Sequence, residues 1–119
     1  MNTMIEAMGL SVLRRFDPEA AHGLAQRMIK VGDELDGQIE HGFRLATARQ
    51  PSSKELELLK SSYGEQVDYF GESPDKRDGY LRYGRAPLAE MNDDQKNKTA
   101  ALTAVAALIL NLDETITRE

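Results

Sequence analysis

The sequence predicts an all-α protein, an antiparallel bundle of about five helices with the C-terminal helix at its centre. Apolar residues recur at steps of three and four and alternate nowhere for long, which is the periodicity of helices. The last predicted helix is apolar almost all round, which is typical of a helix surrounded by others. With 119 residues, 40% of them hydrophobic, the chain has the size and apolar content of a single domain, residues 1–119.

Two helices are predicted before the first sharp turn. Residues 3–15 carry an apolar stripe and form the first. Asp17 can cap the next helix, and Pro18 suits a first helical position, so these residues predict a helix over 18–31 that Gly32 ends. Its buried face consists of Ala21, Leu24, Ala25 and Met28.

The middle of the chain contains two further long helices. A helix over 34–48 ends before Pro51, because the residue preceding proline disfavours helical geometry. Ser52 and Glu55 then form a capping box that begins a helix over 53–70. The apolar faces of these two helices consist of Leu35, Ile39, Phe43 and Ala46, and of Leu56, Leu59, Tyr63, Val67 and Phe70.

The last third of the chain contains a short helix and a long one. Pro74 begins the short helix and Gly84 ends it, and residues 85–91 are predicted to be a loop. Asn92 and Gln95 resemble a capping box that opens the final helix, over about 93–111 or beyond.

Composition and charge exclude several classes of function. The net charge of −5 opposes binding to nucleic acid, so no nucleic-acid partner is expected. The chain has no cysteine, which excludes disulfides, thiolate zinc sites and cysteine nucleophiles. The longest uncharged run, Thr99 to Leu112, is shorter than the roughly 20 residues of a membrane span.

The N-terminal sequence MNTMIEAMGLSVLRR does not predict a signal peptide. No basic region precedes its apolar part, and Glu6 lies within that part. The compartment in which the protein works is left open by these features.

The two histidines, His22 and His41, are candidate metal ligands. Glu19 and His22 have the spacing used by carboxylate-bridged di-iron bundles, which require a second such pair and two further glutamates. His41 has Gln38 where that second glutamate would stand. We therefore favour a solvent-facing or capping role for His22, and we expect neither a metal nor another cofactor.

No catalytic motif is present in the sequence. The chain lacks the nucleophile elbow, the phosphate-binding loop, the dinucleotide fingerprint and the zinc-protease motif. Four tyrosines cluster between Tyr63 and Tyr83, and they form either a binding platform or part of the core. The core reading is favoured, with Tyr63 and Phe70 inside and Tyr80 and Tyr83 covering a loop.

Two segments carry a resemblance to a known family. FRLATARQPSSKELELL (43–59) and ALTAVAALILNLDETITRE (101–119), with a Tyr-Gly segment between them, resemble the C-terminal part of a family of planctomycete secreted proteins. In that family a domain of unknown function follows a cytochrome-c-like segment, and the closing motif LNLDETITRE is the most specific part of the likeness. The resemblance implies that this chain is a C-terminal portion of a larger exported protein, although it carries neither an export signal nor a haem motif.

Four polar residues are candidates for a structural or interaction role. Asn111 is predicted to satisfy the last carbonyls of the apolar helix or to begin a capped turn. Arg44 lies between the apolar residues Phe43 and Leu45, so a buried Arg44 would need an acidic partner, either Glu55 or Glu114.

The sequence supports two hypotheses about function. The first is a non-catalytic helical module that has a structural role or binds a protein partner or a second copy of itself. The alternative is an accessory part of a larger secreted enzyme or electron-transfer protein, possibly in polysaccharide use, as the resemblance implies. An exposed apolar patch favours the first hypothesis, and a cleft with converging polar groups favours the second.

Overall fold

Five α-helices and one turn of 3₁₀ helix make up the described part of the chain. The structure is a computed structural model that describes the backbone of residues 18–83 and 88–118, and the side chains of residues 19–82 and 88–112. The helices are α1 (Pro18–Lys30), α2 (Leu35–Thr47), α3 (Ser53–Glu72), α4 (Pro74–Tyr83) and α5 (Asp93–Arg118), and Leu88–Glu90 forms the 3₁₀ turn. The all-α bundle is therefore confirmed, and the helix predicted at 3–15 lies outside the described residues.

The C-terminal helix α5 is the centre of the bundle, as predicted. It contacts each of the other four helices. One side of it packs against α1, α2 and α3 in the main core, where Met28, Ile39, Phe43 and Leu59 are buried around Val105 and Ile109. Another side packs in a smaller cluster with Phe70 of α3 and Leu81 of α4. Its buried alanines let these neighbours approach closely.

A glycine allows α1 and α2 to pack tightly together. Gly42 lies in the interior of α2, and a Cβ atom added there would stand 2.5 Å from the sulfur of Met28. No side chain larger than hydrogen fits without moving Met28, which is itself fully buried.

One segment differs from the sequence prediction, and the extent of the final helix is now defined. Leu88–Glu90 was expected to be loop but forms a 3₁₀ turn, in which the Met91 N–H donates to the Leu88 carbonyl at 3.2 Å. The final helix runs to Arg118, which agrees with its predicted extent of about 93–111 or beyond. No glycine or proline follows Asn111, so nothing in the polar tail stops the helix.

Candidate binding groove

A groove lies between the α1–α2 turn, α3 and the first half of α5. Its volume is about 570 Å³, within the range of about 300–1,000 Å³ that is usual for ligand sites. We call it the Tyr63 groove, and it is lined by Ile29, Asp33, Leu35, Gln38, Tyr63, Met91, Gln95, Lys98, Thr99 and Leu102.

The first wall of the groove is shaped by the turn between α1 and α2. Gly32 has a φ of 139°, a positive value that glycine adopts most easily, so the predicted stop at this residue is confirmed. The Gln38 side chain donates from Nε2 to the Gly32 carbonyl at 2.7 Å. This bond ties the turn to α2 and places Ile29 and Asp33 at the rim.

The opposite wall is the first two turns of α5. The predicted capping box is confirmed, because the Asn92 N–H donates to Gln95 Oε1 at 2.9 Å and the Gln95 N–H donates to Asn92 Oδ1 at 2.8 Å. Lys98 and Thr99 follow Gln95 at three and four residues, so all three share one face of the helix. The cap thereby fixes the position of this wall.

A large apolar side chain remains exposed at the rim. Ile29, which lines the groove, is 39% exposed. An isolated exposed apolar residue is normal on proteins, but Ile29 belongs to a groove that also contains Leu35, Tyr63 and Met91. Tyrosine and methionine are enriched where proteins bind one another.

Among the described residues that line the groove, one charged side chain has no ion partner. Lys98 Nζ pairs with Asp94 Oδ2 at 3.1 Å, and this hydrogen bond raises the pKa of Lys98. The Asp33 carboxylate makes a smaller contribution to the same shift but forms no ion pair or hydrogen bond with the described residues. Asp33 is therefore available to a cation that enters the groove.

Two titratable side chains of the groove, Tyr63 and Lys98, have shifted pKa values. Burial raises the pKa of Tyr63, and the Asp94 hydrogen bond raises the pKa of Lys98. A general base at neutral pH needs a pKa moved towards 7, whereas both of these move away from it. Within the described residues, no group of three His, Asp or Glu side chains is placed to hold a metal ion.

Arg44 and Glu55 do not meet as predicted. Arg44 is exposed and forms no ion pair with the described residues, and its neighbour Leu45 is exposed as well. Glu55 instead accepts two hydrogen bonds from Arg49. The assumption that Arg44 is buried is wrong. Phe43 faces the core, whereas Arg44 and Leu45, which follow it, face solvent.

Asn111 and Glu114, the other two candidate residues, both belong to α5. Asn111 lies inside α5 and is partly buried, so the prediction that it caps the end of the apolar helix is wrong. Glu114 belongs to α5, but its side chain lies outside the described part of the chain. An Arg44–Glu114 contact therefore stays a prediction, but Arg44 is exposed and not buried as that prediction assumed.

His22 is buried, which corrects the solvent-facing or capping role predicted for it. Only 5% of its surface is exposed, its ring lies 5.0 Å from that of Tyr80, and Phe70 stacks on Tyr80 at 5.6 Å. Burial lowers the pKa of His22, and a hydrogen bond with the Tyr80 backbone offsets this in part. The Tyr80 ring thus packs between α1 and α3 and does not merely cover a loop, and burial raises the pKa of its hydroxyl.

A buried arginine, Arg77, joins α4 to α5 and was missed in the sequence. Its Nε donates to Asp78 at 2.8 Å, Nη1 to Asn97 at 2.9 Å and Nη2 to Asp93 at 3.4 Å. Two of these partners lie 16 and 20 residues away on α5, and no local pattern indicates them. The bonds satisfy a guanidinium that is otherwise enclosed, so its role is structural.

Comparisons with protein-family models, curated proteins and solved structures found no match to this chain. The resemblance to the planctomycete family therefore stays a prediction. No helix in the described part of the chain is long and apolar enough to cross a membrane.

Proposed function

We propose that this chain is a non-catalytic interaction module that binds a protein partner in the Tyr63 groove. The partner contributes an apolar segment that carries a basic residue. One observation carries the proposal: the exposed apolar residue Ile29 lines a groove in which, among the described residues, Asp33 is the charged side chain without an ion partner.

The apolar character of the partner segment follows from the rim. Covering Ile29 removes apolar surface from water, which is favourable by roughly 25 cal/mol per Å². Leu35, Met91 and Leu102 extend the same apolar surface into the groove. A polar segment would bury this surface without contributing apolar area of its own.

The basic residue of the partner follows from Asp33. A carboxylate that is desolvated without a cation or hydrogen-bond donors is costly to bury. Lys98 does not fill this role because it is held by Asp94. A lysine or arginine of the partner supplies the missing positive charge and selects against acidic segments.

The test is a selection followed by an affinity measurement. A random peptide library displayed on phage is selected against the immobilised full chain, and enriched peptides are synthesised with a fluorescent label. We expect apolar peptides with at least one lysine or arginine, bound with an affinity that Ile29→Ser lowers about tenfold. Fluorescence anisotropy gives the dissociation constants.

The matched control is Leu58→Ser, which changes an apolar residue of α3 that is similarly exposed but does not line the groove. This variant should bind as the unchanged chain does. Failure to enrich any peptide, or equal losses for Ile29→Ser and Leu58→Ser, would contradict the proposal.

A further inference from the structure

A second apolar surface lies where α1, α2 and the C-terminal half of α5 meet. It contains a channel of about 280 Å³ and an adjoining cavity of about 320 Å³, and Leu45 lines both. We call it the Leu45 surface. The channel is lined by Glu19, Ala20, Gly23, Leu24, Arg27, Leu45, Ala46 and Leu110, and the cavity by His41, Arg44, Leu45 and Ala48.

The shape of this surface suits an incoming helix. Leu45 is 47% exposed and lines both depressions. The channel beside it contains the small residues Ala20, Gly23 and Ala46, and a Cβ atom added at Gly23 would meet no atom within 4 Å. Small residues allow the backbone of a neighbouring helix to approach closely, and apolar side chains of that helix can enter the channel.

The charge of this surface is opposite to that of the Tyr63 groove. Arg27 lines the channel and Arg44 lines the cavity, and neither forms an ion pair or hydrogen bond with the described residues. Among the described residues that line the two depressions, Glu19 is the one acidic residue. Two guanidinium groups therefore stand against one carboxylate in this described lining, in a chain whose net charge is −5.

We propose that the Leu45 surface binds an acidic amphipathic helix of a second protein. Apolar side chains of that helix fill the channel beside Leu45, and its carboxylates pair with Arg27 and Arg44. Arginine suits this role because its planar guanidinium binds a carboxylate with two parallel hydrogen bonds. This surface does not depend on the Tyr63 groove, so the proposal stands or fails separately from the function proposed above.

The test uses two matched sets of synthetic helical peptides of about 15 residues, near the shortest length at which isolated helices form. Both sets carry leucines at helical spacing, and the flanking positions are glutamate in one set and lysine in the other. Binding to the full chain is followed by anisotropy and by chemical-shift changes of the labelled protein. We expect a glutamate peptide to bind at least about tenfold more tightly than its lysine counterpart, with shifts confined to the Leu45 surface.

Variants locate the binding. Leu45→Ser and Arg44→Gln should each weaken the glutamate peptide about fivefold or more, and added salt should weaken it further. The controls are Leu58→Ser and Lys54→Gln, which alter exposed residues that line neither depression. Circular dichroism confirms that each variant remains folded.

Three results would overturn the proposal. The first is that no glutamate peptide binds, and the second is that the lysine peptides bind equally well. The third is that light scattering shows a dimer of the chain that Leu45→Ser dissociates, in which case a second copy covers this surface.

Discussion

The Arg49 guanidinium holds the Glu55 carboxylate with both terminal nitrogens, at 2.9 Å from Nη1 to Oε1 and 2.8 Å from Nη2 to Oε2. The same carboxylate accepts from the Ser52 N–H at 2.8 Å, and the Glu55 N–H donates to Ser52 Oγ at 3.1 Å. Arg49 also lies 4.8 Å from the centre of the Phe43 ring. The pair thus links the end of α2 to the start of α3 and completes the cap of α3.

Replacing Arg49 should lower stability, and the effect should depend on pH. Arg49 and the capping bonds lower the pKa of Glu55 from 4.5 to about 2. The pair is therefore fully formed above pH 4.5 and is lost as the pH falls towards 2, because the unfolded chain then binds more protons. Arg49→Gln should lower the melting temperature by a few degrees at pH 7 and by progressively less below pH 4.5. Thermal melts across this range measure it.

Arg44→Met is the matched control for Arg49→Gln. Arg44 is exposed and has no ion partner among the described residues, so its loss should leave stability within about 0.5 kcal/mol. A clear loss of stability in Arg44→Met, or none in Arg49→Gln, would contradict the assignment of Glu55 to Arg49.

The positions of most helices follow from the sequence because their boundaries are set by local chemistry. The two capping boxes pair Ser52 with Glu55 and Asn92 with Gln95, residues that are three positions apart. In each box, each side chain accepts a hydrogen bond from the backbone N–H of the other residue, so no contact with the rest of the chain is needed. Gly32 likewise ends α1 through its own backbone freedom. Such signals can be read before any tertiary contact is known.

The partners of side chains could not be predicted in the same way. His22 lies beside the predicted stripe of α1, and it is buried because Tyr80, 58 positions later in the sequence, packs on it. The Tyr63 groove likewise combines residues of α2, α3 and α5 that only the packed bundle brings together. Arg44 and Arg49 are both arginines near Phe43, and only the geometry after the end of α2 decides which of them reaches Glu55.

Protonation of His22 should destabilise the fold in mildly acidic solution. Burial lowers the pKa of His22 from 6.5, so between 6.5 and the lower value of the folded chain the unfolded state binds more protons. Stability should therefore fall as the pH drops below 6.5, above the range in which Glu55 titrates. His22→Phe keeps a ring against Tyr80 and removes this part of the dependence. Urea unfolding between pH 7.5 and 5.5 measures the difference, and parallel pH slopes for the two proteins would refute the prediction.

Gly42 and Gly37 should respond in opposite directions to alanine. At Gly42 the new methyl group collides with Met28, so we expect Gly42→Ala to destabilise the protein by about 1–3 kcal/mol. At Gly37, also inside α2, a Cβ atom meets nothing within 4 Å, and Gly37→Ala should stabilise by about 0.5–1 kcal/mol. Chemical denaturation gives both values. Equal effects would mean that α1 and α2 do not pack through Gly42.

Replacing Ala48 with glycine should stabilise the protein. Ala48 ends α2 with a φ of 62°, in the left-handed region, and its N–H donates to the Arg44 carbonyl at 2.9 Å. Left-handed geometry costs a residue with a Cβ atom roughly 1–2 kcal/mol, of which glycine recovers part. We expect Ala48→Gly to raise the free energy of unfolding by up to about 1 kcal/mol. A loss of stability would contradict the left-handed end of α2.

The most direct measurement of binding in the Tyr63 groove is a charge-exchange cycle between Asp33 and a selected peptide. Affinities are measured for the unchanged chain and for Asp33→Lys, each with the peptide and with a version whose basic residue is glutamate. We predict that either single change weakens binding about tenfold and that the two together restore most of it. Glu57→Lys, an exposed change outside the groove, should do neither. Losses that simply add would show that Asp33 does not face the partner, and the groove would not be the binding site.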